Sequence, residues 1–129
     1  MPRNIDLTEA EWTLMEQLWG VPGQTGRALT DALHAKTSWA RSTTLTLLRR
    51  LTEKGAVRTE VRDGMHVYFP AVSREDAAAR QTRDLLGRVY HGSLSLLVSA
   101  MTREETLSKA EIDELYAILD EMEAKQGDA

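Results

Sequence analysis

No cysteine occurs in the 129-residue chain. This excludes disulfide bridges, thiolate zinc sites and a cysteine nucleophile. No apolar run approaches the roughly 18 residues of a membrane-spanning helix. Met1-Pro2-Arg3-Asn4 is not followed by an apolar stretch, so no signal peptide is expected and the expected location is the cytoplasm. The chain has neither a glycine-rich phosphate loop nor a Gly-x-Ser-x-Gly turn. His34, His66 and His91 fall one to a region, none at helical spacing from a second ligand, so neither metal nor cofactor is expected. Acidic pairs such as Glu104-Glu105 read as solvated loop residues, and no convergent nucleophile and base are present. An enzyme is not expected.

What is present is a charge asymmetry. The formal net charge is −4, but residues 1–72 carry nine Lys/Arg against eight Asp/Glu, and residues 73–129 carry seven against twelve. Between Trp39 and His66, Arg41, Arg49, Arg50, Lys54, Arg58 and Arg62 face only Glu53, Glu60 and Asp63. Contact with nucleic acid depends on such a local patch rather than on the overall charge.

Leu7-Thr8-Glu9-Ala10-Glu11-Trp12 reads as a helix start, with Thr8 and Glu11 as a capping box and Leu7 and Trp12 as a hydrophobic staple. Trp12, Met15, Leu18 and Trp19 follow on one expected apolar face, and Gly20, Pro22 and Gly23 end the element. A second helix is predicted from Thr25 to about Ala35, with Ala28, Leu29, Ala32 and Leu33 inward. A third is predicted from Arg41 to Lys54, stopped by Gly55, with Thr44, Leu47, Leu48 and Leu51 inward. Its other face offers Ser42, Thr43, Thr46, Arg49 and Arg50. Hydroxyls beside arginines suit DNA, because arginine grips guanine or phosphate and Ser/Thr bond phosphates or touch a thymine methyl. Three short helices ending in such a face suggest a helix-turn-helix. Trp39, just before the third helix, reads as a packing residue.

Val57 to Phe69 then alternates as a hairpin around Asp63-Gly64. A two-residue loop would pair Val61 with His66. A three-residue loop, Arg62-Asp63-Gly64, would pair Val61 with Met65, Thr59 with Val67 and Val57 with Phe69. All six would then share one face, so the three-residue loop is expected, with Arg62 at the tip and His66 on the outer face. This hairpin is the wing of a winged helix.

Beyond Pro70, Ser73 to Asp76 opens a helix reaching about Tyr90. Leu94 to Met101 is a short apolar segment, and Leu107 to Ile112 starts a last helix with Ile112, Leu115, Leu119 and Met122 at seam spacing. Residues from Gln126 on read as a frayed tail. Such apolar stripes usually bury against a second copy, the alternative being that they fold back on their own domain. The expected dimer contacts are Leu85, Val89, Leu97, Ile112, Leu115, Leu119 and Met122. The expected division is a winged-helix DNA-binding domain over residues 1–72 and a helical dimerisation region over residues 73–129, mainly α with a small hairpin.

Glu9-Ala10-Glu11-Trp12 with Met15, Leu18 and Trp19, the run from Trp39 to Gly55, and Arg62-Asp63-Gly64 with Tyr68 and Pro70 resemble the penicillinase-repressor family of BlaI/MecI/CopY type. The resemblance runs from about Leu7 to Met122. It implies a dimeric repressor on a palindromic double-stranded operator near resistance or homeostasis genes. For the beta-lactam branch it also implies inactivation by proteolysis, downstream of a membrane sensor and protease system. The copper-responsive branch carries a cysteine cluster, and this chain has none. The beta-lactam repressors are cut at an Asn-Phe pair, and the corresponding pair here is Ala100-Met101, the candidate cleavage site.

The expected function is operator binding through Arg41, Ser42, Thr43, Thr46, Arg49, Arg50, Arg62 and His66. The competing readings are a winged helix used as a protein-interaction module without DNA, which would not need Arg49, Arg50 and Arg62 on its outer faces, and a small hydrolase.

Overall fold

The computed structural model describes residues 5–104 and 106–127. The readings at Met1–Asn4, Glu105, Asp128 and Ala129 lie outside the described residues. The elements run α1 (Glu9–Gly20), β1 (Gln24–Thr25), α2 (Gly26–Thr37), α3 (Arg41–Lys54), β2 (Val57–Arg62), β3 (Met65–Pro70), α4 (Arg74–Val89), α5 (Leu94–Glu104) and α6 (Lys109–Gly127). The three strands form one antiparallel sheet in the order β1-β3-β2. This is a winged helix followed by helices.

The chain divides into two compact units, residues 1–84 and 85–129. That packing division falls inside α4, further along than the element-based one at 72/73. In the first unit the capping box closes as expected: Thr8 N–H donates to Glu11 Oε1 at 2.9 Å, and Glu11 N–H donates to Thr8 Oγ1 at 3.1 Å. The buried face of α1 differs from the expected stripe. Leu14, Met15 and Leu18 are buried together with Glu11 and Gln17, while Trp12 and Trp19 stand half-buried on the flank. Trp12 and Trp19 meet edge-on at 5.1 Å, and Trp19 Nε1 donates to Val72 O. Arg74 lies over the Trp12 ring and donates to Glu16 at 2.6 Å, so the start of α4 is fastened to α1.

Helix α2 is capped by Thr25 and ends at Ser38, whose φ of 64° makes the turn of the helix-turn-helix. Leu29 and Leu33 are fully buried, with Ala28 and Ala32 partly covered. In α3, Thr44, Leu47, Leu48 and Leu51 are the buried residues, and Gly55 ends the helix at φ 85°. With Ile5, Ala56 and Val57 these side chains form one core. Burial of each large aliphatic side chain stabilises by about 1.5–3 kcal/mol, which is what holds the basic helix at a fixed angle.

The hairpin corrects the expected register. Arg62 pairs with Met65, Val61 with His66, Glu60 with Val67, Thr59 with Tyr68 and Arg58 with Phe69. The loop is the two-residue Asp63-Gly64, with φ of 50° and 78°, both left-handed as a type I′ turn requires. Arg62 is therefore the last strand residue and not part of the loop. The expectation assumed one buried face for six residues. Val61 and Met65 are in fact 65% and 56% exposed, beyond the reach of the core, so they exert no pull on the register. Val57 and Val67 are both buried, but on opposite faces, because α3 packs beside β2 and α1 beside β3. Strand β1 was not foreseen. Two residues carry no readable alternation, and its pairing of Gln24 with Tyr68 and Thr25 with Val67 is tertiary.

In the second unit α5 extends through Glu104, three residues past the apolar segment, so Glu104 is helical and not in a loop. Ala100 and Met101 lie inside that helix. The α6 start is capped by Ser108 Oγ, which accepts from Glu111 N–H at 3.1 Å. None of the described residues of α5 or α6 is buried. Leu97 and Leu115 are half-covered, while Leu85, Val89, Ile112, Leu119 and Met122 are exposed, as are Leu94, Leu96, Tyr116 and Ile118.

Candidate nucleic-acid interface

The outer face of α3 follows from its inner one. Once Thr44, Leu47, Leu48 and Leu51 are fixed inward, helical geometry turns Ser42, Thr46 and Arg49 outward, with Thr43 and Arg50 on one flank and Arg41 and Leu45 on the other. Arg41, Ser42, Thr43, Arg49 and Arg50 are exposed, and Thr46 is half-covered. The helix begins at Ala40, which offers no side-chain cap, whereas Thr8 and Thr25 cap α1 and α2. The start of α3 therefore presents first-turn amides and the positive end of its dipole beside Arg41. Across an open groove of about 580 Å³ stand Arg27, Asp31 and His34 of α2. His34 Nδ1 lies 3.0 Å from Trp39 O, tying α2 to the turn before α3.

Within the patch between Trp39 and His66, ion pairs among the described residues engage Arg49, Lys54, Arg58 and Arg62 and leave Arg41 and Arg50 free to meet an external anion. Arg49 reaches Glu53 only at 3.9 Å, with both side chains exposed. Such a pair contributes little and is easily exchanged for a phosphate.

The two-residue turn sends the two expected wing contacts to opposite sides. His66 shares a face with Thr59 and Tyr68 and lines a groove of about 410 Å³ whose other wall is Leu45, Arg49 and Glu53 of α3. Arg62 shares the other face with Arg58 and Glu60. Hence α3 and His66 are brought together and Arg62 is not. Arg27 and Leu45 border the same surface and were not singled out in the sequence. Arg27 is isolated in the chain and gains meaning only when α2 packs beside the start of α3. Leu45 looks like a core residue until the inner stripe is known.

Residues 7–121 match the penicillinase repressor family. The chain belongs to that family. It is 30% identical over 121 residues to the penicillinase repressor of Bacillus licheniformis, covering 94% of each chain. It is 31% identical over 128 residues to the transcriptional regulator BlaI of Mycobacterium tuberculosis, covering 98% of this chain and 92% of that one. The DNA-binding domain of the repressor BlaI matches with a TM-score of 0.53 at 25% identity, over 59% of this chain and 93% of that chain. The monomeric form of B. licheniformis BlaI in complex with the blaP half-operator gives the same figures. A point mutant of S. aureus MepR bound to an oligodeoxyribonucleotide shares the fold, with a TM-score of 0.51 at 20% identity, over 94% of this chain and 80% of that chain. Family and fold together make this a DNA-binding winged helix of the repressor type.

No helix among the described residues is long and apolar enough to cross a membrane. Among them no three His, Asp or Glu side chains gather into a cluster able to hold a metal ion.

Proposed function

We propose that the protein is a transcriptional repressor that binds a palindromic operator as a homodimer. In this reading the outer face of α3 enters the major groove and reads bases with Ser42, Thr46 and Arg49. Arg41, Thr43, Arg50 and His66 hold phosphates, and Arg62 reaches the backbone from the wing. The observation that carries it is the uncapped, basic start of α3 presented on a packed core, with Arg41 and Arg50 in no ion pair among the described residues. The B. licheniformis relative on a half-operator supports one winged helix per half-site.

Residues 73–129 serve dimerisation. The support is the apolar surface of Leu85, Val89, Ile112, Leu119 and Met122, which exceeds what a solvated helix needs. The regulated genes belong to a beta-lactam-resistance-like or related stress operon, and a membrane sensor and protease system relieves repression by cutting at Ala100-Met101. Footprinting on the DNA upstream of the protein's own gene tests the reading. Two symmetric protected segments are expected, centred about 34–36 Å or a multiple of it apart. Protection of a single unsymmetrical segment contradicts the dimer, and absence of protection favours a protein-interaction module.

A further inference from the structure

The wing holds a charge arrangement that its DNA-binding role does not require. Arg58, Glu60 and Arg62 alternate along β2 and so lie on one face of the hairpin. Glu60 Oε1 accepts from Arg58 Nη1 at 2.6 Å. Glu60 Oε2 accepts from Arg62 Nε at 3.1 Å and from Arg62 Nη2 at 2.7 Å. Both guanidinium groups also lie over the ring of Phe69, their central carbons 4.4 Å and 4.8 Å from its centroid.

The register makes this informative. Phe69 stands opposite Arg58, whereas Arg62 stands opposite Met65 beside the turn. Four residues of strand, about 13 Å, separate Arg58 from Arg62 along β2. Arg62 can meet the Phe69 ring only by folding its side chain back along the wing, past Glu60, toward the hairpin base. The ring is itself anchored, since two of its atoms lie 3.2 Å from where a side chain on Gly23 would begin. The cation best placed to leave the tip of the wing is thus drawn away from the tip.

We propose that Glu60 and Phe69 form a parking site for the Arg62 guanidinium, so that the Glu60 carboxylate competes with DNA phosphate for this cation. The inference rests on the DNA-binding reading above. On DNA, Arg62 exchanges one charge-assisted fork for another, and the gain is the difference between them. Hydrogen bonding from Arg58, then from Arg62, holds the Glu60 carboxyl below the ordinary carboxylate range against the opposing effect of burial, so the competitor is charged at neutral pH. Glu60 is a positioning residue and touches no DNA itself.

The test is titration of the full chain with a labelled duplex of arbitrary sequence over a salt series. Glu60→Gln is expected to tighten binding about two- to fivefold. The slope of log affinity against log salt is expected to change by less than the roughly 0.9 of one phosphate contact, since Arg62 meets phosphate in both chains. Glu60→Thr, a good strand residue, is expected to do the same and guards against a defect peculiar to Gln. Glu75→Gln, which removes an exposed carboxylate outside the hairpin, is expected to leave binding nearly unchanged. In an Arg62→Ala background the gain from Glu60→Gln should vanish. Equal or weaker binding by both Glu60 variants, or a gain that survives Arg62→Ala, would overturn the inference while leaving the DNA-binding reading intact. A parent chain that binds no duplex would overturn both.

Discussion

The carboxylate of Glu11, 1% exposed, accepts a hydrogen bond from Lys54 Nζ at 2.6 Å, joining the first turn of α1 to the last turn of α3. The same oxygen accepts from Thr8 N–H, and the ammonium also donates to Asp6 O. Helix α3 is thereby fixed at its C-terminal end to the start of the fold.

Lys54→Met removes the cation and leaves a buried carboxylate without its partner. The expected loss is about 1–3 kcal/mol, read as a lower urea midpoint with an unchanged slope. Burial pushes the Glu11 carboxyl up, but the hydrogen bonds from Lys54 and Thr8 outweigh it and the net shift is downward. A carboxyl lowered by folding contributes stability above its ordinary range and loses it as the pH falls through the folded-state value. The Glu11 carboxyl resonance should therefore titrate below the ordinary range in the parent and move up in Lys54→Met. An unmoved titration contradicts the coupling.

Two left-handed glycines should differ in cost. Gly64, at φ 78° in the turn, has nothing within 4 Å of an added side-chain carbon, so Gly64→Ala meets backbone strain alone, about 1 kcal/mol. Gly23, also at φ 78°, would place that carbon 3.2 Å from the Phe69 ring. Gly23→Ala should lower the melting temperature clearly more than Gly64→Ala, and the reverse order would contradict the packing of the wing base.

Leu119 is half-exposed on α6, so Leu119→Asp should leave the monomer folded and place a charge in the proposed seam. Sedimentation should show a dimer for the parent and a monomer for the variant at micromolar concentration. Loss of avidity should weaken binding to a palindrome by about 10²- to 10⁴-fold. A parent that sediments as a monomer contradicts the dimer.

Cleavage at Ala100-Met101 requires a turn of α5 to unwind, since both residues are helical. Mass spectrometry through an induction time course should find fragments ending at Ala100 and beginning at Met101. Full derepression with the chain intact contradicts proteolytic relief.

Much of this was legible in the sequence because the signals were local. Thr8 with Glu11, Gly55 after Lys54, and the inner stripe of α3 each fix an element within a few residues. Signals spread over distance misled. The alternation of Val61, Met65, Val67 and Phe69 suggested a common buried face, but only side chains near the helices are covered, and the Asp63-Gly64 turn decided the register. In the sequence Glu60 reads only as one of three acids beside six cations, because its pairing depends on Arg62 folding back to Phe69, a contact no spacing announces. Strand β1 was hidden for the same reason, since Gln24 and Thr25 become a strand only beside Tyr68 and Val67.

The central claim is sequence-specific DNA binding through α3, and it is tested most directly by titrating the full chain against DNA upstream of its own gene and against an unrelated duplex at matched salt. The account predicts a preference of at least about 10³ for the upstream DNA, with log affinity falling linearly against log salt. Arg49→Ala should cost about 1–3 kcal/mol on the upstream DNA if it reads a base, while Arg50→Ala should weaken both duplexes alike. Equal affinity of the parent chain for the two duplexes, or no effect of either substitution, would contradict it.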